Sequence, residues 1–324
     1  MAQSAGLDLL DRKIMHELDL DARASASQIA RRLRKSKETV NFRINRLVSE
    51  GYIKAFYSIF NTSLLGWTYY KLYVKFKDMT PAQEGEFFEY VSAQPHVAYL
   101  ARLEGYYDCV FLVMAKSISQ MSRFMAPFMK KYGDYISQKD LVTFITAHRF
   151  NQKFLFAGNR REDWTYSPEL GSYPLDSVDK KLLSALSNDA RASLLELSKK
   201  IGVDSGTVQY RMQKLKRDNV ILAFVSAPDF DKLGLQFIQI NISMKDPTAI
   251  KQAISYFDST NRCLYAGELL GKFDIMIEIH VESGAQLREI LDKFREKFVG
   301  KYSDYDVSTV THEYVVIWSP ISEL

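Results

Sequence analysis

The chain begins with apolar residues that recur three and four positions apart. Leu10, Ile14 and Leu18 form the first such stripe, and this spacing places them on one face of a helix. Ser25 precedes a second helical stretch, and Gln28 three residues later completes the sequence pattern of a capping box. Three short helices with a tight turn and a following strand predict a winged helix-turn-helix. The predicted elements are helices over about residues 8–19, 26–33 and 37–50 and a strand over 52–60.

The same pattern returns 168 residues later. The pentapeptide Asp-Ala-Arg-Ala-Ser (DARAS) occurs at residues 21–25 and again at 189–193. Around it, residues 7–56 align with 175–224 without a gap, and 17 of the 50 positions are identical. Two copies of a unit of about 150 residues therefore make up the chain, and we expect both copies to fold in the same way.

The remainder of each unit alternates strand and helix patterns. Residues 69–77 alternate between two sets of side chains, as a half-buried strand does. The order strand-helix-strand-strand-helix-strand predicts an antiparallel sheet with both helices on one face. The other face of such a sheet needs a cover, and the sheet of the second copy is the expected partner. After 69–77 we expect a helix at about 81–93, strands at 96–104 and 106–115, a helix at 117–131 and a strand at 138–147, and the same order over 235–318.

The predicted fold class is therefore α+β, with two winged helix-turn-helix domains alternating with two ferredoxin-like βαββαβ domains. A polar stretch rich in Gly, Pro and Ser separates the two copies and has the composition of a linker. The expected boundaries are residues 1–60 and 174–228 for the helix-turn-helix domains, 61–156 and 229–324 for the ferredoxin-like domains, and 157–173 for the linker.

Composition is that of an ordinary globular protein, with 47% hydrophobic and 25% charged residues. No apolar run approaches the roughly 20 residues of a membrane span, and the first 13 residues lack the apolar core of a signal peptide. We therefore expect a cytoplasmic protein with no membrane partner. Cys109 and Cys263 lie far apart, and the five histidines show no metal-ligand spacing, so we expect no metal and no cofactor.

Basic residues concentrate around the third helix of each unit. Residues 31–49 contain seven basic side chains and one acidic one, a balance of +6, and residues 199–217 have a balance of +5. A solvated basic surface would explain an isolated run of this kind. Its repetition within a predicted helix-turn-helix instead favours contacts to phosphates, so double-stranded DNA is the expected partner.

Helical geometry separates the buried face of the third helix from its exposed face. Val40, Ile44 and Leu47 share the buried face, whereas positions opposite them differ between the copies, as Phe42 does from Tyr210. One scaffold with two different exposed faces predicts two non-identical DNA-contacting surfaces. The candidate DNA-binding residues are Arg34, Lys35, Ser36, Lys37, Glu38, Thr39, Asn41, Phe42, Arg43, Asn45 and Arg46 in the first copy and Ser205, Thr207, Gln209, Tyr210, Arg211, Gln213, Lys214 and Arg217 in the second.

Arg43 and its counterpart Arg211 lie between the two faces, about 60° from the apolar axis. Each arginine can contact a phosphate, or it can pair with a carboxylate of the first helix, Asp11 or Asp179. Both members of each pair recur in both copies. The sequence therefore supports the structural role and the DNA-contacting role equally.

A Gly and an Asp fall between the two middle strands of each ferredoxin-like domain. Gly105 and Asp108 in the first copy match Gly271 and Asp274 in the second. From the residues alone they predict a hairpin turn, because Gly tolerates a positive φ and Asp bonds to nearby backbone.

Taken together, these segments resemble the Lrp/AsnC family, the feast/famine transcription regulators of bacteria and archaea. The resemblance rests on LDLLDRKIMHEL, DARAS, SKETVNFRINRLVSEGYIKAF and EGYYD in the first copy and on LDSVDKKLLSAL, DARAS, DSGTVQYRMQKL and LGKFD in the second. It implies a DNA-binding helix-turn-helix joined to a ferredoxin-like domain that dimerises and often binds amino acids. It also implies a site for an amino acid or another small effector near the hairpins, at Gly105, Tyr107, Asp108, Gly271, Phe273 and Asp274.

The chain departs from the usual family pattern. The family usually has one unit per chain, so we expect the two ferredoxin-like domains to pair internally, and we expect whole chains to form a homo-oligomer. The family favours glycine where both DARAS copies have alanine, Ala22 and Ala190. The hairpins also differ between the copies, so two effector sites need not bind the same molecule.

Two other functions are compatible with this architecture. Siroheme decarboxylases are fused proteins of similar architecture that place histidines in the second strand of the ferredoxin-like domain. The corresponding stretches here, VAYLARLE and CLYAGELL, contain none, and the adjacent His96 has no histidine counterpart in the second copy. We therefore expect no enzymatic activity. The third alternative, a ligand-sensing interaction module without DNA binding, would be favoured by acidic exposed helix faces, which neither copy has.

Overall fold

The computed structural model describes residues 6–156, 163–166 and 169–316, so part of the expected linker and residues 317–318 of the last predicted strand lie outside the described residues. In the first unit the helices lie within one residue of their predicted bounds. The elements are α1 (Leu9–Leu20), α2 (Ala26–Leu33), α3 (Lys37–Ser49), β1 (Ile53–Phe60), β2 (Thr68–Phe76), α4 (Pro81–Ser92), β3 (Val97–Glu104), β4 (Cys109–Ala115), α5 (Ile118–Tyr132) and β5 (Ile136–Arg149).

A short strand, β6 (Trp164–Tyr166), lies within the expected linker and pairs with the end of β5. The second unit then repeats the order of the first, which confirms the predicted duplication. Among the described residues, no helix has the length and apolarity needed to cross a bilayer. The second set of elements is α6 (Ser177–Asn188), α7 (Leu194–Ile201), α8 (Ser205–Arg217), β7 (Ile221–Pro228), β8 (Gln236–Met244), α9 (Ile250–Ser259), β9 (Cys263–Gly271), β10 (Ile275–Val281), α10 (Gly284–Lys297) and β11 (Tyr302–Val316).

Side chains cap the helices where the sequence predicts it. At the start of α2, the backbone N–H of Gln28 donates to Ser25 Oγ, and the N–H of Ser25 donates to Gln28 Oε1. Ser193 and Glu196 make the same reciprocal pair of bonds at the start of α7. Both predicted capping boxes are therefore confirmed, and each satisfies two backbone donors that a helix start leaves unpaired.

The strand that follows each third helix pairs with its counterpart in the other unit. β1 and β7 run antiparallel, from Ile53 opposite Pro228 to Phe60 opposite Ile221. The sequence predicts this strand as a wing of its own domain, whereas the structure has it as half of a two-stranded ribbon that both helix-turn-helix domains share. The pairing satisfies the backbone donors and acceptors that a lone edge strand would leave open.

Eight strands of the two ferredoxin-like domains form one closed ring. Their order is β2-β4-β3-β11-β8-β10-β9-β5, and β5 pairs back to β2. The halves join through two antiparallel pairs, β3 with β11 and β5 with β9. Internal pairing of the two sheets is as expected, but it takes place edge to edge as well as face to face. Helices α4, α5, α9 and α10 cover the outside, and a separate apolar core fills the interior of the ring.

The two DARAS pentapeptides meet where the helix-turn-helix domains touch. Arg23 Nη1 and Nη2 donate to the carbonyl oxygens of Ala190 and Ala192 at 2.7 and 2.8 Å. Reciprocally, Arg191 donates to the carbonyl oxygen of Ala22. Ala22 and Ala190 are fully buried in this contact. The pentapeptide, which joins the first two helices of each domain, therefore also joins the two domains to each other.

The same arginines pack on the shared ribbon. The guanidinium of Arg23 lies 5.4 Å from the ring centroid of Phe224, and that of Arg191 lies 5.0 Å from Phe56. These distances are within the range of cation–π contacts. Burial lowers the pKa of both guanidinium groups. Because the contacts are reciprocal, they hold the two domains in a nearly two-fold arrangement.

One histidine of the ring lies among aromatic side chains. His280 on β10 is fully buried, and its ring stacks on Phe230 with 3.7 Å between centroids. Phe154 and Phe237 lie beside it, at 5.2 and 4.8 Å. Neither ring nitrogen has a hydrogen-bond partner among the residues that the structure describes. Burial lowers the pKa of His280 to about 3, so the imidazole is neutral in the folded protein at neutral pH.

Replacing Arg23 should destabilise the protein. We expect Arg23→Ala to lower the free energy of unfolding by about 1–3 kcal/mol, because two hydrogen bonds from a charged donor are lost. Arg191→Ala should have a similar effect, since its contacts mirror those of Arg23. Urea unfolding measures both. Arg31, exposed on α2, is the control, and an equal loss in Arg31→Ala would contradict this role of the DARAS arginines.

Acidification should destabilise the protein through His280. Below the ordinary histidine pKa of 6.5 the unfolded chain takes up a proton, but the folded chain does so only near pH 3. Stability therefore falls as the pH drops from 6.5 towards 3. His280→Met places there the residue of the equivalent position, Met114. It should remove about 2 kcal/mol of the stability difference between pH 8 and pH 5. Chemical unfolding at both pH values tests this, and an unchanged difference would refute it.

Candidate DNA-binding surface and hairpin sites

The exposed face of α3 carries most of the DNA-binding residues predicted in the first copy. Val40, Ile44 and Leu47 are buried, as predicted. Phe42 is 66% exposed although its side chain is apolar. The predicted residues that are exposed on this helix or just before it are Arg34, Lys35, Ser36, Lys37, Glu38, Thr39, Asn41, Phe42 and Asn45.

Helix α8 presents the corresponding face of the second copy. Tyr210, at the position of the exposed phenylalanine of α3, is itself 61% exposed. Two amides of α3, Asn41 and Asn45, are replaced in α8 by the longer amides Gln209 and Gln213. At these aromatic and amide positions the two helices thus present side chains of the same chemical kind but of different size. Of the predicted residues, Gln209, Tyr210, Gln213 and Arg217 are exposed, and Ser205, Thr207, Arg211 and Lys214 are half-buried.

Asp11 on α1 holds two basic side chains of α3. Its carboxylate is fully buried and accepts hydrogen bonds from Arg43 at 3.0 Å and from Arg46 at 2.5 Å. Arg43 also donates to Asp8 at 2.7 Å, and the hydrogen bonds to Asp8 and Asp11 raise the pKa of its guanidinium. Of the two roles left open for Arg43, the structure contains the pairing with an acidic residue. Arg46 shares that pairing, so replacing it would also remove a partner from a buried carboxylate.

The second copy repeats the first of these contacts. Arg211 Nη1 lies 2.6 Å from Asp176 and 3.3 Å from Asp179, both at the start of α6. Lys214, at the position of Arg46, instead has its ammonium 6.0 Å from the ring centroid of Tyr173. Helices α3 and α8 therefore hold these basic side chains in different ways, Arg46 by a carboxylate and Lys214 beside an aromatic ring.

The aspartates of the two hairpins bond to neighbouring strands. Asp108 Oδ2 accepts the backbone N–H of Phe76 at the end of β2, and Asp274 Oδ2 accepts that of Met244 at the end of β8, both at 2.7 Å. Strands β3 and β4 and strands β9 and β10 pair antiparallel around these residues. The hairpin turns predicted from the sequence are therefore confirmed.

The two hairpin glycines allow close approach of the other unit. Their φ values are +152° at Gly105 and +143° at Gly271. A Cβ at Gly105 would lie 2.6 Å from the carbonyl oxygen of Val307, and one at Gly271 would lie 2.6 Å from that of Leu141. Any larger residue would therefore collide with the backbone of the strand that closes the ring.

Tyr107 and Phe273, predicted near an effector, lie inside the ring. Tyr107 is fully buried, and its hydroxyl donates to Asp140 at 2.7 Å. Lys272 of the other hairpin contacts both of these groups, at 2.8 Å from the Tyr107 hydroxyl and 3.1 Å from Asp140. The hydrogen bonds from Tyr107 and Lys272 help keep the pKa of Asp140 below its ordinary value despite partial burial. Tyr106 is the hairpin aromatic that remains exposed, at 44%.

Two charged side chains inside the ring were not among the site residues predicted from the sequence. Lys71 on β2 lies 3.7 Å from Glu278 on β10, and both are buried. Burial lowers the pKa of Lys71 to about 8 and raises that of Glu278. The alternation of residues 69–77 places Lys71 on the face away from the helices, and this pattern could have indicated a charged residue facing the other sheet. Its partner belongs to the other copy, and only the closure of the ring brings the two together.

Known proteins match both copies. The AsnC-type helix-turn-helix domain matches residues 175–216, and a winged helix-turn-helix DNA-binding domain matches 7–54. An uncharacterized HTH-type transcriptional regulator of Pyrococcus horikoshii is 30% identical over 126 residues, which cover 38% of this chain and 84% of that relative. A second one from this organism is 33% identical over 125 residues, covering 39% and 78%. The regulatory protein AsnC of Haemophilus influenzae is 28% identical over 118 residues, covering 36% and 79%.

A solved structure shares the whole arrangement. The siroheme decarboxylase NirDL superposes with a TM-score of 0.63, covering 97% of this chain and 96% of that chain, at 13% sequence identity. At this identity the likeness concerns the fold alone. The sequence relatives are regulators, each matched over most of its own length by about one unit of this chain. This chain belongs to the Lrp/AsnC family of helix-turn-helix transcription regulators, and it carries two family units in tandem.

Proposed function

We propose that the protein regulates transcription by binding double-stranded DNA with α3 and α8 together, each helix contacting a different half of one operator. The observation that carries this proposal is the pair of equivalent exposed faces, with Phe42 on one and Tyr210 on the other. Both faces are flanked by basic residues. The shared ribbon and the DARAS contacts join the two domains. One chain therefore offers the pair of linked helix-turn-helix domains that a dimer usually supplies.

The chemistry of the exposed residues favours sequence recognition. Asn and Gln side chains pair with the major-groove edge of adenine, and aromatic side chains pack on the methyl group of thymine. Because β1 and β7 pair antiparallel, the helices that precede them approach DNA in opposite senses, as in two-fold dimers. Because their side chains differ, we expect the operator to be an imperfect inverted repeat.

We favour the regulator over a siroheme decarboxylase. Sequence relatives with regulator names support the first, and a shared fold at low identity supports the second. Strands β3 and β9, where the decarboxylases place histidines, contain none in this sequence. Lys37 and Asn45, exposed on α3, supply a charge and an amide for DNA contacts that tetrapyrrole chemistry does not require.

An effector site at the hairpins remains part of the proposal. The carboxylates of Asp108 and Asp274 already bond to backbone, so an effector there would meet Tyr106 and Lys272 first. Gly105, Tyr107, Gly271 and Phe273 would shape that site by allowing the close approach of the two units.

Further association of whole chains is also proposed. Leu141, Ile145 and Leu270 on the β5–β9 side of the ring are 47%, 50% and 66% exposed. Apolar side chains clustered on a surface favour contact with another protein surface. A homo-oligomer formed through this region fits the dimerising habit of the family.

Removing one phosphate contact should weaken DNA binding without changing its sequence preference. Lys37→Ala, at the first position of α3, should reduce affinity for all fragments alike. It should also lower the slope of log K against log salt by about one. Fluorescence anisotropy at several salt concentrations measures this slope. Lys130→Ala, on exposed α5 of the ring, is the matched control. Equal slopes in Lys37→Ala and the native protein would contradict a phosphate contact.

Each recognition helix should determine only one half of the operator. Asn45→Ala on α3 and Gln213→Ala on α8 should each relax preference in one half-site, at a cost of about 1–3 kcal/mol per lost base contact. Selection of bound sequences from a random pool identifies the affected half. The two variants control for each other, and relaxation of the same positions by both would refute the two-surface arrangement.

A further inference from the structure

Two cavities lie between the β1–β7 ribbon and the ring. The first has a volume of about 90 Å³ and mainly apolar walls, and the second has about 270 Å³ and several charged residues in its walls. They adjoin, because Tyr99, Tyr265 and Glu278 line both. The first is bounded by β6, through Trp164 and Tyr166, and the second is not.

The two cavities occupy equivalent places in the duplicated fold. Tyr99 and Tyr265 are counterparts of each other in the aligned strands VAYLARLE and CLYAGELL. The register of the ring supplies further counterparts: Ala147 lies opposite Gly267, and Glu313 lies opposite Ala101. Two residues that line only the second cavity are charged where the first cavity has apolar counterparts. Lys54 stands at the place of Leu222, and Glu313 stands at the place of Ala147. Glu278, the counterpart of Leu112, lines both cavities.

The two cavities are therefore related by the internal duplication but have different side chains in their walls. In a dimer of identical units both cavities would contain the same residues, and a charge placed in one would appear in both. Here Glu313, from the second copy, lines the second cavity and not the first. A carboxylate held away from water costs free energy unless it is paired, so its presence in one cavity indicates a role that packing does not supply.

The cations around the second cavity already have carboxylate partners. Lys54 lies 3.5 Å from Asp229. Arg149 pairs with Asp19, which is fully buried. On the inner wall, Lys71 is the partner of Glu278 (3.7 Å). Lys54 also acts electrostatically on Glu313, but it makes its ion pair with Asp229.

Glu313 is the carboxylate of the second cavity that pairs with none of these cations. It lies close to Tyr99 and to Tyr57 of the ribbon. It makes no ion pair within the described residues. Burial and the nearby charge of Glu278 raise its pKa more than the charge of Lys54 lowers it, as expected of a carboxylate without an ion-pair partner.

Aromatic side chains form a large part of the remaining wall. Tyr57, Tyr99, Phe230, Phe237 and Tyr265 all line the second cavity. Aromatic faces attract cations through their quadrupole, and an aromatic enclosure with a carboxylate is how proteins bind organic ammonium groups. The volume is close to the lower end of ordinary small-ligand pockets, about 300–1,000 Å³.

We propose that the second cavity binds a small organic cation, namely a primary amine on an aromatic or branched aliphatic body. The ammonium lies against Glu313 and Glu278, and the body packs against the aromatic walls. The first cavity has Ala147 at the place of Glu313 and does not bind the cation. This site is separate from the hairpins, where the family resemblance places an effector.

Its position connects the ligand to the recognition helices. Tyr57 and Val225, opposite each other on the ribbon, form part of the cavity wall. The ribbon strands begin at Ile53 and Ile221, within four residues of the ends of α3 and α8. A bound amine therefore contacts the ribbon on the side that faces the ring. This consequence rests on the proposed DNA-binding function, whereas amine binding itself does not.

The test compares three probes of similar shape and different charge on the full chain without DNA. These are 2-phenylethylamine, the uncharged 2-phenylethanol and the anionic 3-phenylpropionate. Isothermal titration and thermal shift should show binding of the amine, with the alcohol and the acid on the order of tenfold weaker or more, because an ion-paired hydrogen bond is lost. Equal affinities, stronger binding of the acid, or no binding of the amine would each overturn the proposal.

Variants locate the site. Glu313→Gln should weaken the amine on the order of tenfold or more and bring its affinity close to that of the alcohol. Glu313→Ala, which copies the residue of the first cavity, should do the same. Glu104→Gln removes an exposed carboxylate at the end of β3 and should leave binding unchanged. Unaltered affinity in both Glu313 variants would overturn the assignment. DNA binding is measured separately, so its absence would contradict the regulator function and not this site.

Discussion

Backbone pairing between the two copies is the interaction on which the structure depends. Each ferredoxin-like sheet has two edges, and an open edge exposes unpaired donors and acceptors. The pairs β3–β11 and β5–β9 close both edges at once, and the pair β1–β7 satisfies one edge of each strand that follows a helix-turn-helix. Gly105 and Gly271 are needed because this closure brings hairpin and strand backbones into contact. The arrangement of the two recognition helices follows from the same pairings.

Tandem duplication keeps the geometry of a dimer and removes its requirement for identical residues. Positions that carry the fold remain alike, as the reciprocal contacts of Arg23 and Arg191 do. Positions on the exposed helix faces or in the cavities differ, as Phe42 does from Tyr210 and Ala147 from Glu313. One chain therefore contains two distinct exposed helix faces and two distinct cavities on a single scaffold. A symmetric dimer cannot offer this combination, because each substitution would appear twice.

Buried carboxylates decide which basic residues of the helix-turn-helix domains are available to DNA. Asp11 is fully buried and holds both Arg43 and Arg46, so these arginines help to dock α1 on α3. The exposed basic residues that precede them, such as Lys35 and Lys37, make no such contact with a buried carboxylate among the described residues. Charge counted along the sequence therefore overstates the number of side chains that face phosphates. The exposed amides and aromatics are better candidates for base contacts.

The sequence by itself determined the elements, their order and the duplication, because helix and strand periods and capping boxes are local properties. It also separated the two faces of β2 and left two roles open for Arg43. Only the tertiary structure decided that the strand after α3 pairs with β7, that the two sheets form one ring, and that Lys71 meets Glu278. These contacts join residues of different copies, and strand patterns that are nearly the same in both copies do not specify which edges pair. The closed ring is preferred because it leaves no edge of either sheet unpaired.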